Sequence, residues 1–238
     1  MTDHKYAISI VITAHDEGQM VLQCVEMVWQ SIAYASSNRS IAHEILVALD
    51  CPDFETRKIL KYDFESERNV STFELDFMDI GLVRNKMISL CKNDLIFFVD
   101  ADDLWSKNWI SKVLDESRYA LNSIFHPEHT YFVDRENTRV FQNFKLKKFF
   151  NSKYTLLFEN HWTSSFATKK TVFNLIRFKS GKVGQDSGIF AFEDWTFFRD
   201  TLFLGFKHEI VSDTFHINRI KESSNTSLSG DKFPHPFD

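Results

Sequence analysis

Three short, continuous apolar runs in the first hundred residues each stop abruptly at acidic residues, and segments of helical periodicity lie between them. Residues 8–12 read ISIVI and give way to Thr13-Ala14-His15-Asp16-Glu17-Gly18. Residues 44–49 read EILVAL and end at Asp50-Cys51-Pro52-Asp53, and residues 94–99 read DLIFFV and end in Asp100-Ala101-Asp102-Asp103. Runs that are apolar at every position belong to strands covered on both faces. Residues 20–35 place Val21, Cys24, Val25, Val28 and Ile32 at helical spacing, and residues 54–64 and 81–92 continue as helices around a strand at 70–77. Four strands alternating with helices predict an α/β fold with a mostly parallel central sheet flanked by helices. Such sheets bind ligands at the carboxyl ends of their strands, where all of these acidic clusters fall.

Beyond residue 122 the pattern changes to aromatic-rich strand fragments at 130–133, 139–144 and 164–168 and a helix near 195–204. No linker or internal repeat interrupts it, so this half is expected to complete one domain. We expect residues 2–222 to form that domain, with 2–104 as its ligand-binding half, 105–222 as its acceptor half and 223–238 as a flexible tail. The chain carries 25 Phe, six Tyr and five Trp, 15% of its residues, so much of the aromatic content must be core, including Trp29, Trp105 and Trp109. The net charge of −5 with scattered Lys and Arg lacks the basic footprint of a nucleic-acid binder, although Lys145, Lys147 and Lys148 form a local patch suited to anionic lipid or phosphate. Cys24, Cys51 and Cys91 are odd in number and lie beside apolar residues, which suits structural thiols in a reducing compartment. A polar start leading straight into a strand, with no run long enough to span a bilayer, predicts a cytoplasmic protein; contact with the inner membrane face stays open.

Three carboxylates within four positions repel one another unless a cation or strong donors offset the charge. The turn at Asp100, Asp102 and Asp103 therefore suits Mg²⁺ or Mn²⁺, which takes one or two protein carboxylates and completes its shell with water and phosphate oxygens. Asp103 also suits a cap for the helix expected from about Ser106. Glu193-Asp194 forms a second acidic pair, readable either as first-turn residues favoured by a helix dipole or as a catalytic base with a raised pKa. Asn160-His161-Trp162-Thr163-Ser164 gathers hydrogen-bonding groups around an indole, and Trp162, Trp195 and His161 are candidate sugar platforms. His126-Pro127-Glu128 is placed at a strand end near the same cleft. Residues 181–188, with three of the seven glycines, suit a mobile loop.

Taken together, these motifs resemble the family 2 glycosyltransferases with the GT-A fold, over roughly residues 8–229. The resemblance rests on the polar loop after the first strand, Asp50 after the second, Arg84-Asn85 on a helix, Asp100-Ala101-Asp102-Asp103, and Phe192-Glu193-Asp194-Trp195 at a helix start. It implies that Thr13, His15, Glu17 and Asp50 hold the base and ribose of a nucleoside-diphosphate sugar, a UDP-sugar above all. The first loop departs from the family's frequent Pro-x-Tyr-Asn by reading Thr-Ala-His-Asp, which leaves the base open. The resemblance further implies that Arg84 and Asn85 contact base or phosphates, that Asp102 ligates the metal, and that Asp100 and Ala101 belong to the same donor turn, with Asp100 on the ribose or the metal through water. His216 is implied as a further metal ligand, and Asp194, beside Glu193, as the base of an inverting transfer to a glycan or lipid-linked acceptor in bacterial surface polysaccharide synthesis.

Two other readings share parts of this pattern. A haloacid-dehalogenase-like phosphatase also uses Asp-x-Asp after an apolar strand, but on its opening strand. A nucleotide- or sugar-binding module without turnover would have no need of Asp194. A dinucleotide-binding dehydrogenase is excluded, because the first loop holds the single Gly18 and no G-x-G-x-x-G.

Overall fold

The computed structural model describes residues 6–64, 69–120, 122–143, 152–157, 160–180, 182–183, 189–190 and 192–220. The elements run β1 Tyr6–Ala14, α1 Met20–Ser36, β2 Ile41–Asp50, α2 Phe54–Phe64, β3 Val70–Leu75, α3 Ile80–Leu90, β4 Leu95–Asp100 and β5 Leu104–Trp105. They continue with α4 Trp109–Ser117, β6 Ser123–Val133, β7 Thr138–Gln142, β8 Phe166–Lys169, β9 Lys182–Val183, β10 Ile189–Phe190, α5 Glu193–Phe203 and β11 Lys207–Arg219, with short 3-10 turns at Ser152–Leu157 and Lys170–Asn174. The expected patch Lys145, Lys147 and Lys148 and the tail 223–238 lie outside the described residues, as does the expected loop 181–188 apart from β9.

One sheet joins both halves in the order β3-β2-β1-β4-β8-β6-β11-β5, with β7 pairing the later residues of β6 on the edge opposite β11. The parallel part expected from the sequence is β3-β2-β1-β4. The second half is mixed: β8 runs antiparallel between β4 and β6, β11 lies parallel to β6, and β5 closes antiparallel on β11. Strand order reverses at β1, which has β2 on one side and β4 on the other. This is the switch point at which open α/β sheets leave a crevice at the carboxyl ends of their strands.

Alternation along the central strands assigns each face. Ile8, Ile10 and Ile12 of β1, Ile45, Val47 and Leu49 of β2, and Leu95, Phe97 and Val99 of β4 pack with Val21, Val25 and Val28 of α1 and with Trp109 and Val113 of α4. Val11, Leu46, Ala48, Ile96 and Phe98 face the other way, onto Val83, Met87 and Ile88 of α3 and Phe197 and Phe198 of α5. Much of the phenylalanine lies in this second layer, where Phe98 stacks on Phe166 at 4.7 Å and Phe178 on Phe197 at 4.5 Å. Such ring pairs add to the burial of their area.

Trp105 and Trp109 are core as expected, and Trp29 packs on the core partly buried. Cys24 and Cys91 are buried free thiols, whereas Cys51 is half-buried. His126 falls in the middle of β6 and is fully buried, not at a strand end lining a cleft. Asp103 does not cap the next helix: α4 has Asn108 at its N-cap, and the Asp103 carboxylate is drawn toward β11 instead.

Candidate active site

The site is built where β1 and β4 end side by side, with Thr13 paired to Asp100 in register. Thr13 Oγ1 donates to Asp100 Oδ1 at 2.6 Å, and the Thr13 carbonyl accepts the Ala101 N–H at 2.9 Å, so the acidic turn leaves β4 in a set direction. From α3, Arg84 reaches the same carboxylate: Nη2 donates to Asp100 Oδ1 at 2.9 Å while Nη1 donates to Glu193 Oε1 at 2.5 Å. Arg84 is 1% exposed, so this is a buried cation bridging the two acidic motifs, with Asp100 16 and Glu193 109 positions away from it along the chain.

Burial works against the charge on Arg84, but Asp100, Glu193 and Asp194 outweigh it and raise its pKa above the ordinary arginine value. Burial would also raise the Asp100 carboxyl, yet Arg84, with hydrogen bonds from Thr13 and Ser164, holds it below the ordinary range. Glu193 and Asp194 go the other way: loss of hydration pushes both carboxyls up, with Arg84 opposing. Glu193 is buried against Arg84, whereas Asp194 is half-buried, its Oδ1 accepting the Trp195 N–H at 2.7 Å. Phe192, just before this pair, has φ +66, a left-handed conformation uncommon for a residue with a side chain, and it turns the chain sharply into α5.

The rest of the acidic turn is divided between structure and chemistry. Asp103 is 1% exposed and accepts from His216 Nε2 at 2.8 Å, Asn218 Nδ2 at 3.1 Å and the Arg219 N–H at 3.1 Å. Asp102 is half-buried between these two committed carboxylates. Among the described residues no group of three or more His, Cys, Asp or Glu side chains is set to enclose a metal. Of this turn's carboxylates Asp102 is the one that could hold a hard cation, which would then take its remaining ligands from water and substrate oxygens.

Several residues are placed differently from the expectation. His216 is fully buried with both ring nitrogens engaged, Nε2 on Asp103 and Nδ1 on Thr163 Oγ1 at 3.0 Å, so it braces β11 rather than offering a metal ligand. Arg84 is an internal bridge and not a phosphate contact. Asn85 pairs reciprocally with the backbone of Phe178, its Nδ2 donating at 2.8 Å and its Oδ1 accepting at 3.1 Å, which ties α3 to the segment preceding β9. Gly81 serves the same junction: a β-carbon there would lie 2.1 Å from the Lys179 carbonyl oxygen.

Trp162 is 2% exposed and stacks on His208 at 4.1 Å and His126 at 4.6 Å, so it is core and not a sugar platform. His161 is buried, its Nε2 2.5 Å from Thr155 Oγ1. Trp195 is half-buried and anchored by its indole N–H on the Leu156 carbonyl at 2.6 Å. At the first loop His15 is exposed, its backbone N–H held by Glu17 Oε2, and Asp50 is 8% exposed. Reasoning from sequence missed the bracing role of Thr163, in the loop before β8, and of Asn218 on β11, because isolated polar residues carry no signal until the fold brings them to His216 and Asp103.

The comparisons with known proteins agree with this geometry. The family model described as glycosyl transferase family 2 matches residues 9–181. No curated protein sequence matches significantly. Among solved structures, S. aureus TarS 1–349 in complex with UDP-GlcNAc superposes with a TM-score of 0.69 at 14% identity, over 93% of this chain and 60% of that one. GalNAc-T7 with UDP, GalNAc and Mn²⁺ superposes with a TM-score of 0.65 at 14% identity, over 92% of this chain and 46% of that one. The chain thus spans about three fifths of the TarS fragment it matches. A family model that takes in well over half of the chain, on a sheet shared with these structures, shows that the chain belongs to glycosyl transferase family 2 and has the GT-A fold.

Proposed function

We propose that the protein is an inverting transferase that moves a sugar from a UDP-sugar to a hydroxyl of a glycan or lipid-linked acceptor, assisted by Mg²⁺ or Mn²⁺. The observation that carries this reading is the Arg84 bridge, which draws Glu193 and the first turn of α5 toward the acidic turn at Asp100. The half-buried carboxylates beside this bridge, Asp102 and Asp194, are the two the chemistry needs. UDP-GlcNAc in the TarS structure and UDP, GalNAc and Mn²⁺ in that of GalNAc-T7 support the choice of donor and metal.

In this reading residues 2–104 hold the nucleotide and 105–222 supply the base and the acceptor surface. Asp194 receives the proton of the acceptor hydroxyl while the acceptor oxygen bonds to the anomeric carbon. The bond from that carbon to the diphosphate breaks on the opposite face, its electron pair leaving with the nucleoside diphosphate, so the configuration inverts. Burial raises the basicity of Asp194 while Arg84 opposes that rise, and a raised basicity suits a general base. A cation at Asp102 would stabilise the charge that develops on the departing diphosphate. Among the described residues no helix is long and apolar enough to cross a membrane. The acceptor we favour is a bacterial surface polysaccharide or its lipid-linked precursor, glycosylated in the cytoplasm at the inner membrane face.

The test is Asp194→Asn, assayed by UDP release from UDP-sugars and by titration with UDP. Transfer should fall about a thousandfold, the scale of a lost general base, while UDP binding is retained. A turnover near that of the unaltered protein would remove Asp194 as the base, and a product that keeps the donor's anomeric configuration would remove inversion.

A further inference from the structure

Residues 178–180, just before β9, are held between the two helices that carry the site. On the α3 side Asn85 brackets the Phe178 backbone, its Nδ2 donating to the carbonyl at 2.8 Å and its Oδ1 accepting the N–H at 3.1 Å. The Ser180 hydroxyl donates to Asp79 Oδ2, and Asp79 caps α3 by accepting the Leu82 N–H on Oδ1 at 3.1 Å. Gly81 lets the Lys179 carbonyl lie against the first turn of α3, where a β-carbon would meet it. On the α5 side Phe178 stacks on Phe197 at 4.5 Å, and Lys179 pairs with Asp200 at 2.8 Å.

Arg84 rests on the same segment. Its Cζ lies 5.5 Å from the centroid of the Phe178 ring, which is itself buried. Nη1 and Nη2 are spent on Glu193 and Asp100, while Nε is buried with no hydrogen-bond partner among the described residues. A guanidinium held by two of its nitrogens can tilt about the line joining them. A ring packed over it limits that tilt and adds a cation–π attraction. The ring in turn has little room to move in a close-packed layer, so its place is set by the backbone that Asn85 holds.

We propose that Asn85 is a positioning residue for the transfer: by holding Phe178 it fixes the Arg84 guanidinium, and through Glu193 it sets the direction in which Asp194 leaves the first turn of α5. Asn85 itself touches neither donor nor acceptor. The inference rests on the reading of Asp194 as the base, given above. Near-attack geometry is narrow, and a base displaced by about 1 Å loses about a hundredfold in rate.

The experiment compares Asn85→Asp and Ser180→Ala with the unaltered full chain, by kcat and donor KM from UDP release, by UDP titration with Mn²⁺, and by the thermal midpoint. Asn85→Asp keeps the size and the accepting oxygen but sets a carboxylate oxygen against the Phe178 carbonyl; Ser180→Ala loosens the same segment more mildly. In Asn85→Asp kcat should fall about ten- to a hundredfold, with KM and the UDP Kd within about twofold of the unaltered values. Ser180→Ala should show the same split with a smaller loss, and it carries the comparison if Asn85→Asp does not fold. In an Asp194→Asn background Asn85→Asp should cost no further rate, because a residue that acts through the base has nothing left to act on. A tenfold weaker UDP Kd would make Asn85 a donor contact and overturn the proposal. So would a lowered thermal midpoint with kcat unchanged, the mark of a merely structural role, or losses that multiply in the double variant. Turnover of Asp194→Asn at the unaltered rate overturns the reading of the base itself, an outcome separate from these.

Discussion

Arg84 illustrates how a residue's chemistry is set by what surrounds it. On an exposed helix an arginine is free to meet phosphate, but at 1% exposure, between Asp100 and Glu193, its charge is spent on protein carboxylates. Removing one member of a buried ion pair leaves the others unpaired, so Arg84→Met should destabilise the fold by about 3–5 kcal/mol in urea unfolding at pH 7. A loss below about 1 kcal/mol, the range of an exposed pair, would show that the bridge does not hold the two motifs together. The type of residue and its company were legible in the sequence: Asp100, Asp102, Glu193 and Asp194 stood out as carboxylates that needed a partner. Which partner each takes was not, because Arg84 and Glu193 are 109 positions apart and His216 lies 113 from Asp103.

At the scale of elements, the early strands and helices could be read almost residue for residue, since β1, β2 and β4 are apolar on both faces and α1 keeps a clean helical period. The later ones could not, because β6 and β11 are long, mixed strands whose polar residues are satisfied by each other. Their pairing brings His126 and His208 together inside the sheet layer, Nε2 to Nδ1 at 2.9 Å, with Trp162 stacked on both rings. Burial depresses both histidines, His208 to about 3 and His126 well below its ordinary value, with His208 adding to the shift of His126. A histidine kept neutral in the folded state but free to protonate when unfolded contributes stability above its unfolded pKa and loses it as pH falls below that value. Stability should therefore fall by about 2 kcal/mol per histidine between pH 7 and pH 5, given an unfolded value near 6.5. Denaturant unfolding at the two pH values checks this. A flat profile would mean that the pair is protonated within the fold.

For the whole molecule, the sheet matters because it brings the two halves of the chain to one crevice: the acidic turn hangs from β4, the Glu193-Asp194 pair from α5, and β11 braces Asp103. A ligand that binds only this assembled state stabilises it by mass action, so UDP with Mn²⁺ at about a hundred times its Kd should raise Tm by about 5–10 °C. Omitting the metal should remove most of the shift, and Asp102→Ala should behave as the metal-free protein in both conditions. A metal-dependent shift that persists in Asp102→Ala would place the cation elsewhere. Local sequence was enough to specify the parallel βα half, the acidic turn at its switch point and the family it resembles, because apolar period, strand length and strand-end carboxylates are all short-range signals. Tertiary structure alone decided that Arg84 joins the two acidic motifs, that His216 and Asp103 are structural partners, and that Trp162 is core. Each of these depends on burial and on contacts between distant residues, and the free energy of a polar group is set by the partners the fold brings to it, not by its neighbours along the chain.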